Sequence, residues 1–280
     1  VEARLAIAHR MWVDRDCLRG AYFSPMCFNG YPDLMENFPR CEVAVATLWS
    51  TVPYVRALVE RGRAQAAVNF LQDFEVWFYP DDKTRNKVFD TYPLIEHRVA
   101  TSRWLQELMR EHGFESTVIP YGFDPLQFYP LPAAARSRPR IIAMARPETP
   151  RRGFEDLVAC LRRVHAQRPE VEFALYGTSS LPHPKDLGFP VTDLGIIKDR
   201  AVLMREYNAS EIFVDTSHFQ GFGLPALEAM ACRLACVLTN FGGVNQYARD
   251  GENCLLVAPR DPVAASEATL RLIDNARLRQ

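Results

Sequence analysis

No stretch of about 18 consecutive apolar residues occurs anywhere in the 280-residue chain, which excludes a transmembrane helix. The first residues, Val1-Glu2-Ala3-Arg4, lack an initiator Met and the apolar core of a signal peptide. A helical pattern from Ala264 to Arg279 then runs out without a stop signal. Both ends predict a piece of a longer protein, with its first domain incomplete. Surplus positive charge is missing as well. The formal net charge is −1, whereas binding of nucleic acid demands a basic excess, so nucleic acid is excluded as a partner. The seven cysteines form no CxxC pair and have no His partners at zinc-ligand spacing, so no metal site is expected. They read as reduced, mostly buried thiols, which fits a cytoplasmic protein. No repeat or low-complexity segment appears.

What is present suits two α/β domains. Apolar residues make up 48% and charged residues 24%, enough for a sizeable core at this length. In the first half, Val43–Thr47, Ala66–Leu71 and Arg98–Ala100 read as buried strands. Between them, residues 50–62 carry Val52, Val55, Leu58 and Val59 at helical spacing. Ser102 is positioned as the N-cap of a helix with Trp104, Leu105 and Leu108 on one face, ended by Gly113. The proline-bearing, aperiodic stretch from Pro130 to Pro139 predicts the boundary between a first domain, 1–130, and a second, 137–280. The second half alternates more clearly. Strands are expected at Ile141–Ala145, Val171–Tyr176, Ile212–Asp215, Ala235–Thr239 and Cys254–Val257. Helices are expected at Gly153–Gln167, Ala201–Ala209 and Pro225–Cys232, and Asp261-Pro262 opens a last one. Such alternation predicts parallel sheets with crossover helices, and ligands bind at the carboxyl ends of their strands.

The most informative segment follows Ile212–Asp215: Phe219-Gln220-Gly221-Phe222-Gly223-Leu224-Pro225-Ala226-Leu227-Glu228. Gly221 and Gly223 let backbone N–H groups come close to a ligand. The positive end of the helix opening at Pro225 suits a diphosphate. Glu228, about one turn in, can accept hydrogen bonds from ribose hydroxyls. The same residues also fit a turn before a core helix, with Glu228 solvated. A second loop, Arg146-Pro147-Glu148-Thr149-Pro150-Arg151-Arg152-Gly153, leaves the strand Ile141–Ala145 at the same carboxyl edge, where Gly177 ends another strand. Its cations either neutralise a diphosphate or form a solvated basic loop. Asp73 and Glu75, after Ala66–Leu71, either orient acceptor hydroxyls or cap the strand. Asp14-Arg15-Asp16 has a metal-binding look but follows no convincing strand. His218 is the weakest candidate, and the other five histidines are assigned nothing.

The Gln220-to-Glu228 segment resembles the glutamate–seven-residues–glutamate motif of family 4 retaining glycosyltransferases. The resemblance extends from about Asp73 to the end and implies the GT-B fold, two facing Rossmann-like domains. It implies that Glu228 is the second glutamate, which binds the donor ribose, with Gly221, Phe222, Gly223, Leu224 and Gly177 around the donor. Gln220 stands where the first glutamate usually meets the donor sugar. Gly242-Gly243-Val244-Asn245-Gln246 likewise has Gln where Glu is common. By the same match, Arg146 and Arg152 hold the leaving diphosphate, and Arg replaces the usual Lys at 152. Tyr121-Gly122-Phe123-Asp124 is similar to the turn preceding the family's interdomain linker, with Asp124 a turn former. The segments Phe70–Pro80, 46–51 and Ala145-Arg146-Pro147 look like the subgroup serving rhamnose-rich surface polysaccharides. The resemblance therefore implies metal-independent, cofactor-free transfer of a sugar from a nucleotide-sugar donor to a glycan acceptor. Transfer would take place in the cytoplasm or at the inner membrane face, with the membrane reached through the acceptor. Gln220 and Gln246 also fit a non-catalytic nucleotide-sugar-binding domain of a larger assembly protein. A nucleotide-sugar epimerase of the same fold is a third reading.

Overall fold

A computed structural model describes residues 3–7, 23–28, 30–132 and 138–279. His9 and the Asp14-Arg15-Asp16 pattern lie outside the described residues. The chain divides into two compact units, Val1–Pro120 and Tyr121–Gln280. The stretch after Pro120 packs with the second unit: Phe128 is buried in its core, and the Leu131 amide donates to Asn208 Oδ1 at 2.6 Å. Asp124 forms the expected turn, its carboxylate accepting from the Leu126 amide and from Gln127 Nε2, both at 2.8 Å.

In the first unit, strands β1 (Ala3–Ile7) and β2 (Phe23–Cys27) pair in parallel and are followed by helix α1 (Tyr31–Asn37). A four-stranded parallel sheet then has the order β3 (Cys41–Ala46), β4 (Ala64–Leu71), β5 (His97–Ala100), β6 (Thr117–Val118). Helices α2 (Val52–Glu60), α3 (Asp82–Phe89) and α4 (Arg103–Glu111) connect its strands. β3 differs from the expected fully buried strand. Val43 and Val45 are 50% and 51% exposed, while Ala44 and Ala46 face the core, the alternation of a half-buried strand. Helix α2 buries Val52, Val55 and Leu58. Ser102 caps α4 by accepting from the Leu105 amide.

The second unit positions the site. Strands β7 (Arg140–Met144), β8 (Glu172–Tyr176), β9 (Thr192–Asp193), β10 (Ile212–Asp215), β11 (Ala235–Thr239) and β12 (Leu255–Val257) form one parallel sheet in the order β12-β11-β10-β7-β8-β9. Numbered within the unit this is the doubly wound order 3-2-1-4-5-6, whose switch point lies between β7 and β10. Near-continuous apolar strands are what a sheet covered on both faces requires. Helices α5 (Phe154–Gln167) and α9 (Pro262–Asp274) cover one face, over Ile141, Phe173, Val214 and Val237. After the short α6 (Pro184–Leu187), helices α7 (Arg200–Asn208) and α8 (Leu224–Ala231) cover the other, over Ile142, Phe213 and Leu238. Asp261 caps α9 by accepting from the Ala264 amide, and Pro262 opens the helix. Among the described residues, no helix is long and apolar enough to cross a membrane. The five cysteines whose side chains are described are all free thiols, and all but Cys41 are buried.

Candidate active site

The switch point brings together the two loops singled out in the sequence. One leaves β7 and runs from Ala145 to Gly153; the other leaves β10 and runs from Thr216 to Gly223. Their contact is tight and specific. Thr216 donates its hydroxyl to the Gly153 carbonyl at 2.9 Å, and the His218 amide donates to the Arg151 carbonyl at 2.8 Å. Gly153 has φ +62°, and a Cβ there would lie 2.1 Å from the Thr216 carbonyl oxygen. Only glycine fits both the conformation and the gap. Gly153→Ala is therefore expected to cost on the order of 3 kcal/mol of stability, read as the shift in urea midpoint. An alanine variant as stable as the wild type would show that the loops separate freely.

At the centre lies Gln220, only 2% exposed. Its Nε2 donates to Asp215 Oδ2 at 3.0 Å, and its Oε1 accepts from Arg152 Nη1 at 2.9 Å. Its carbonyl accepts from the Gly243 amide at 2.8 Å. The loop after β11 is thereby fixed beneath the Gly-rich loop. A Cβ on Gly243 would stand 1.8 Å from the Gly221 carbonyl oxygen, so glycine is required by contact alone. Arg152 is half-buried, and its Nε has no hydrogen-bond partner among the described residues. Arg146 is exposed at the end of β7, beside Gly177.

Helix α8 begins one residue earlier than expected, with Leu224 first and Pro225 second. Gly223 precedes it in the left-handed conformation, φ 90°, and no side chain caps the N-terminus. Its carbonyl accepts from the Tyr247 hydroxyl at 2.6 Å. Glu228, the fifth residue of the helix, is not solvated: it is 6% exposed. Its Oε1 is paired with Arg200 Nη1. Arg200 opens α7 after the N-cap Asp199; its side chain is 56% exposed, and its guanidinium lies over the Phe128 ring. Burial raises the Glu228 pKa above its ordinary 4.5, and Arg200 pulls it back. Burial also pushes up the hydroxyls of Tyr176 and Tyr207, which lie 2.7 Å apart, and the Glu228 charge adds to both shifts.

The sign of this coupling gives a test. A buried acid with a raised pKa keeps its proton longer in the folded chain, so stability falls as pH rises from 4.5 through the raised value. Arg200→Ala removes the counter-charge and extends that fall to higher pH. The variant is expected to lose about 1–2 kcal/mol near neutrality and to converge on the wild type toward pH 4.5. Urea unfolding across this range reads it; a deficit that does not change with pH would rule the coupling out.

Some of the residues expected to carry chemistry are thus brought together and others are not. Gln220 and Arg152 touch directly, and Arg146 and Gly177 share the edge. Asp73 and Glu75 belong to the first unit and are both buried. Glu75 Oε2 accepts from the Trp49 amide at 2.7 Å, and Asp73 Oδ1 from the Phe74 amide at 2.9 Å. His218, the weakest candidate, is more than a strand-end residue: its Nε2 pairs with Asp156 Oδ2 at 2.7 Å. The sequence reading missed Asp215 and Arg200. Among the described residues, no three His, Cys, Asp or Glu side chains gather as a metal site.

The chain is similar to several known proteins. The chain is 29% identical over 259 residues to the O-antigen biosynthesis protein RfbC of Myxococcus xanthus, covering 88% of this chain and 20% of that protein. It is 31% identical over 169 residues to an MMP alpha-(1->4)-mannosyltransferase of Mycolicibacterium hassiacum, covering 57% of this chain and 40% of that one. The chain thus spans a minor part of the length of both. Among solved structures, HepE of Anabaena in complex with UDP and glucose matches with a TM-score of 0.81 at 18% identity, over 99% of this chain and 83% of that one. Sucrose-phosphate synthase of Thermosynechococcus elongatus matches with a TM-score of 0.73 at 23% identity, over 89% and 70%. These matches, with the two parallel sheets, give the α/β GT-B fold class. Residues 138–275 match the family described as glycosyl transferases group 1.

Proposed function

We propose that the chain holds the donor-binding centre of a retaining, metal-independent glycosyltransferase. It moves a sugar from a nucleoside-diphosphate sugar to a glycan acceptor in cell-surface polysaccharide synthesis. The observation that carries this reading is the hydrogen bond from Arg152 to Gln220, which joins the cationic loop to the Gly-rich loop at the switch point of the sheet. Ligands of doubly wound sheets bind there, and the N-terminus of α8, with no side-chain cap, presents its positive dipole end to a diphosphate.

In this reading Arg146, Arg152 and the N-terminus of α8 stabilise the negative charge that builds on the leaving diphosphate. Glu228 accepts hydrogen bonds from the ribose hydroxyls. The acceptor oxygen bonds to the anomeric carbon on the face the diphosphate leaves. As the bond from that carbon to the diphosphate oxygen breaks, the acceptor proton passes to the diphosphate. The protein contributes position and electrostatics, and no resident cofactor is required. The likeness to RfbC, an O-antigen biosynthesis protein, supports a surface-polysaccharide setting. In this reading the reaction takes place in the cytoplasm, with the acceptor held at the inner membrane face.

A panel of UDP-, GDP- and dTDP-sugars with glycan acceptors tests the proposal. Sugar transferred with release of free nucleoside diphosphate and retained anomeric configuration supports it. EDTA should leave the rate intact; inhibition relieved by added divalent metal would contradict the metal-free step. The full engagement of the Gln220 amide within the protein favours a second reading, a nucleotide-sugar-binding module without turnover. Tight donor binding with no transfer to any acceptor would select it.

A further inference from the structure

We infer that Asp215 and Gln220 are a matched positioning pair, which holds Arg152 toward the donor diphosphate through a neutral acceptor and so leaves its charge unspent. The assignment rests on the nucleotide-sugar reading above. It goes beyond that reading in giving Asp215 a role and in changing that of residue 220.

The chain of contacts runs in one direction. Asp215 ends β10, is 7% exposed, and has its two carboxylate oxygens in different bonds. Oδ1 accepts from the Ser217 amide at 2.8 Å, which fixes the carboxylate on the turn. Oδ2 accepts from Gln220 Nε2 at 3.0 Å. A carboxylate can only accept here, so the amide must present its NH2 to Asp215 and its carbonyl to the other side. There it meets Arg152 Nη1 at 2.9 Å, a donor that cannot accept. Rotating the amide by half a turn would set oxygen against carboxylate and NH2 against guanidinium. Asp215 on one side and Arg152 on the other therefore fix a single orientation.

The chemical consequence depends on the acceptor being neutral. A carboxylate at 220 would hold Arg152 more strongly but would cancel its charge locally, at the point where the diphosphate needs it. It would also stand beside Asp215 at hydrogen-bond distance, where two like charges repel. The titratable groups that surround Asp215 give no relief. Tyr176, Tyr247 and Cys236 are all pushed up by burial and stay neutral. His218 is engaged by Asp156. Glutamine thus supplies what glutamate cannot in this setting, and the acid five residues before it is the reason.

Two single variants and their combination in the full chain test this: Gln220→Glu, Asp215→Asn and the double variant. UDP, GDP and dTDP are each titrated by calorimetry, and Tm is measured without ligand. Gln220→Glu is expected to lower Tm by about 5 °C and the affinity for the preferred diphosphate about tenfold or more. Asp215→Asn in the double variant removes the repulsion, so Tm should recover. The affinity should not recover, because the carboxylate still neutralises Arg152. Asp215→Asn alone frees the amide to turn and should weaken diphosphate binding. Recovery of both quantities in the double variant would overturn the neutral-acceptor role. A Tm that stays low there would overturn the pairing with Asp215. Normal wild-type binding with Gln220→Glu unchanged in both readouts would overturn the assignment alone. No binding of any of the three diphosphates by the wild type would overturn the nucleotide reading and this assignment with it.

Discussion

Glu228→Ala is expected to cost about a hundredfold or more in affinity for nucleoside diphosphates while leaving the protein folded. Two hydrogen bonds from ribose hydroxyls to a carboxylate contribute about 1.5–3 kcal/mol each, which together correspond to roughly 10²- to 10⁴-fold in binding. The fold should withstand the change because the carboxylate is the costly member of its ion pair. It is buried, whereas the Arg200 side chain is 56% exposed and remains hydrated without it. This is the reverse of the Arg200→Ala case, in which the buried charge is the one left behind. Glu228→Gln keeps the shape and separates the contribution of charge from that of packing. Calorimetric titration with UDP, GDP and dTDP reads the effect; affinity unchanged for the diphosphate that the wild type prefers would remove the ribose assignment.

Arg152→Ala is the other large effect. Charge grows on the diphosphate as its bond to the sugar breaks, so a cation that meets it is worth more in the transition state than in the bound donor. Removing one such group typically costs about 10²–10³ in kcat. The same change leaves Gln220 Oε1 buried without its donor, a loss of about 1 kcal/mol and a few degrees in Tm. The diagnostic is the disproportion between the two: a kcat reduced by two to three orders of magnitude beside a small thermal shift. Arg152→Lys, which keeps the charge but not the fork, should recover part of the rate. If only the melting temperature moved, the loop would be structural.

How far these residues could be read in advance followed from whether the responsible physics is local. β7, β8, β10 and β11 are covered on both faces of a parallel sheet and therefore appear in the sequence as near-continuous apolar runs. β9 has two exposed polar residues, Thr192 and Asp193, and leaves no such trace. Helix α3 was passed over because only Val88 of its eight residues is buried, although Asp81 caps it through the Thr84 amide. The Gly-rich turn was legible because glycine and proline carry backbone constraints wherever they stand. The partners of its side chains were not. Arg200 is 28 residues from Glu228, and Asp156 is 62 from His218. Only the folded sheet brings such pairs within reach. Helix α7 starts at Arg200 behind the N-cap Asp199, one residue before the expected Ala201, and a cap says nothing about what the next side chain meets. Asp215 was visible merely as the last residue of a strand, and its meaning depends on the loop turning Gln220 back upon it.

The fit of the loop after β11 beneath the Gly-rich loop has a bearing on protein engineering. With the Gly243 amide bonded to the Gln220 carbonyl, and Tyr247 bonded to Gly223, the two segments have one joint conformation. A chimera that imports a foreign Gly-rich loop to change the donor would inherit a mismatch unless residues 241–247 travel with it. The smallest transplantable unit is therefore the pair of segments, with α8 and β11 between them.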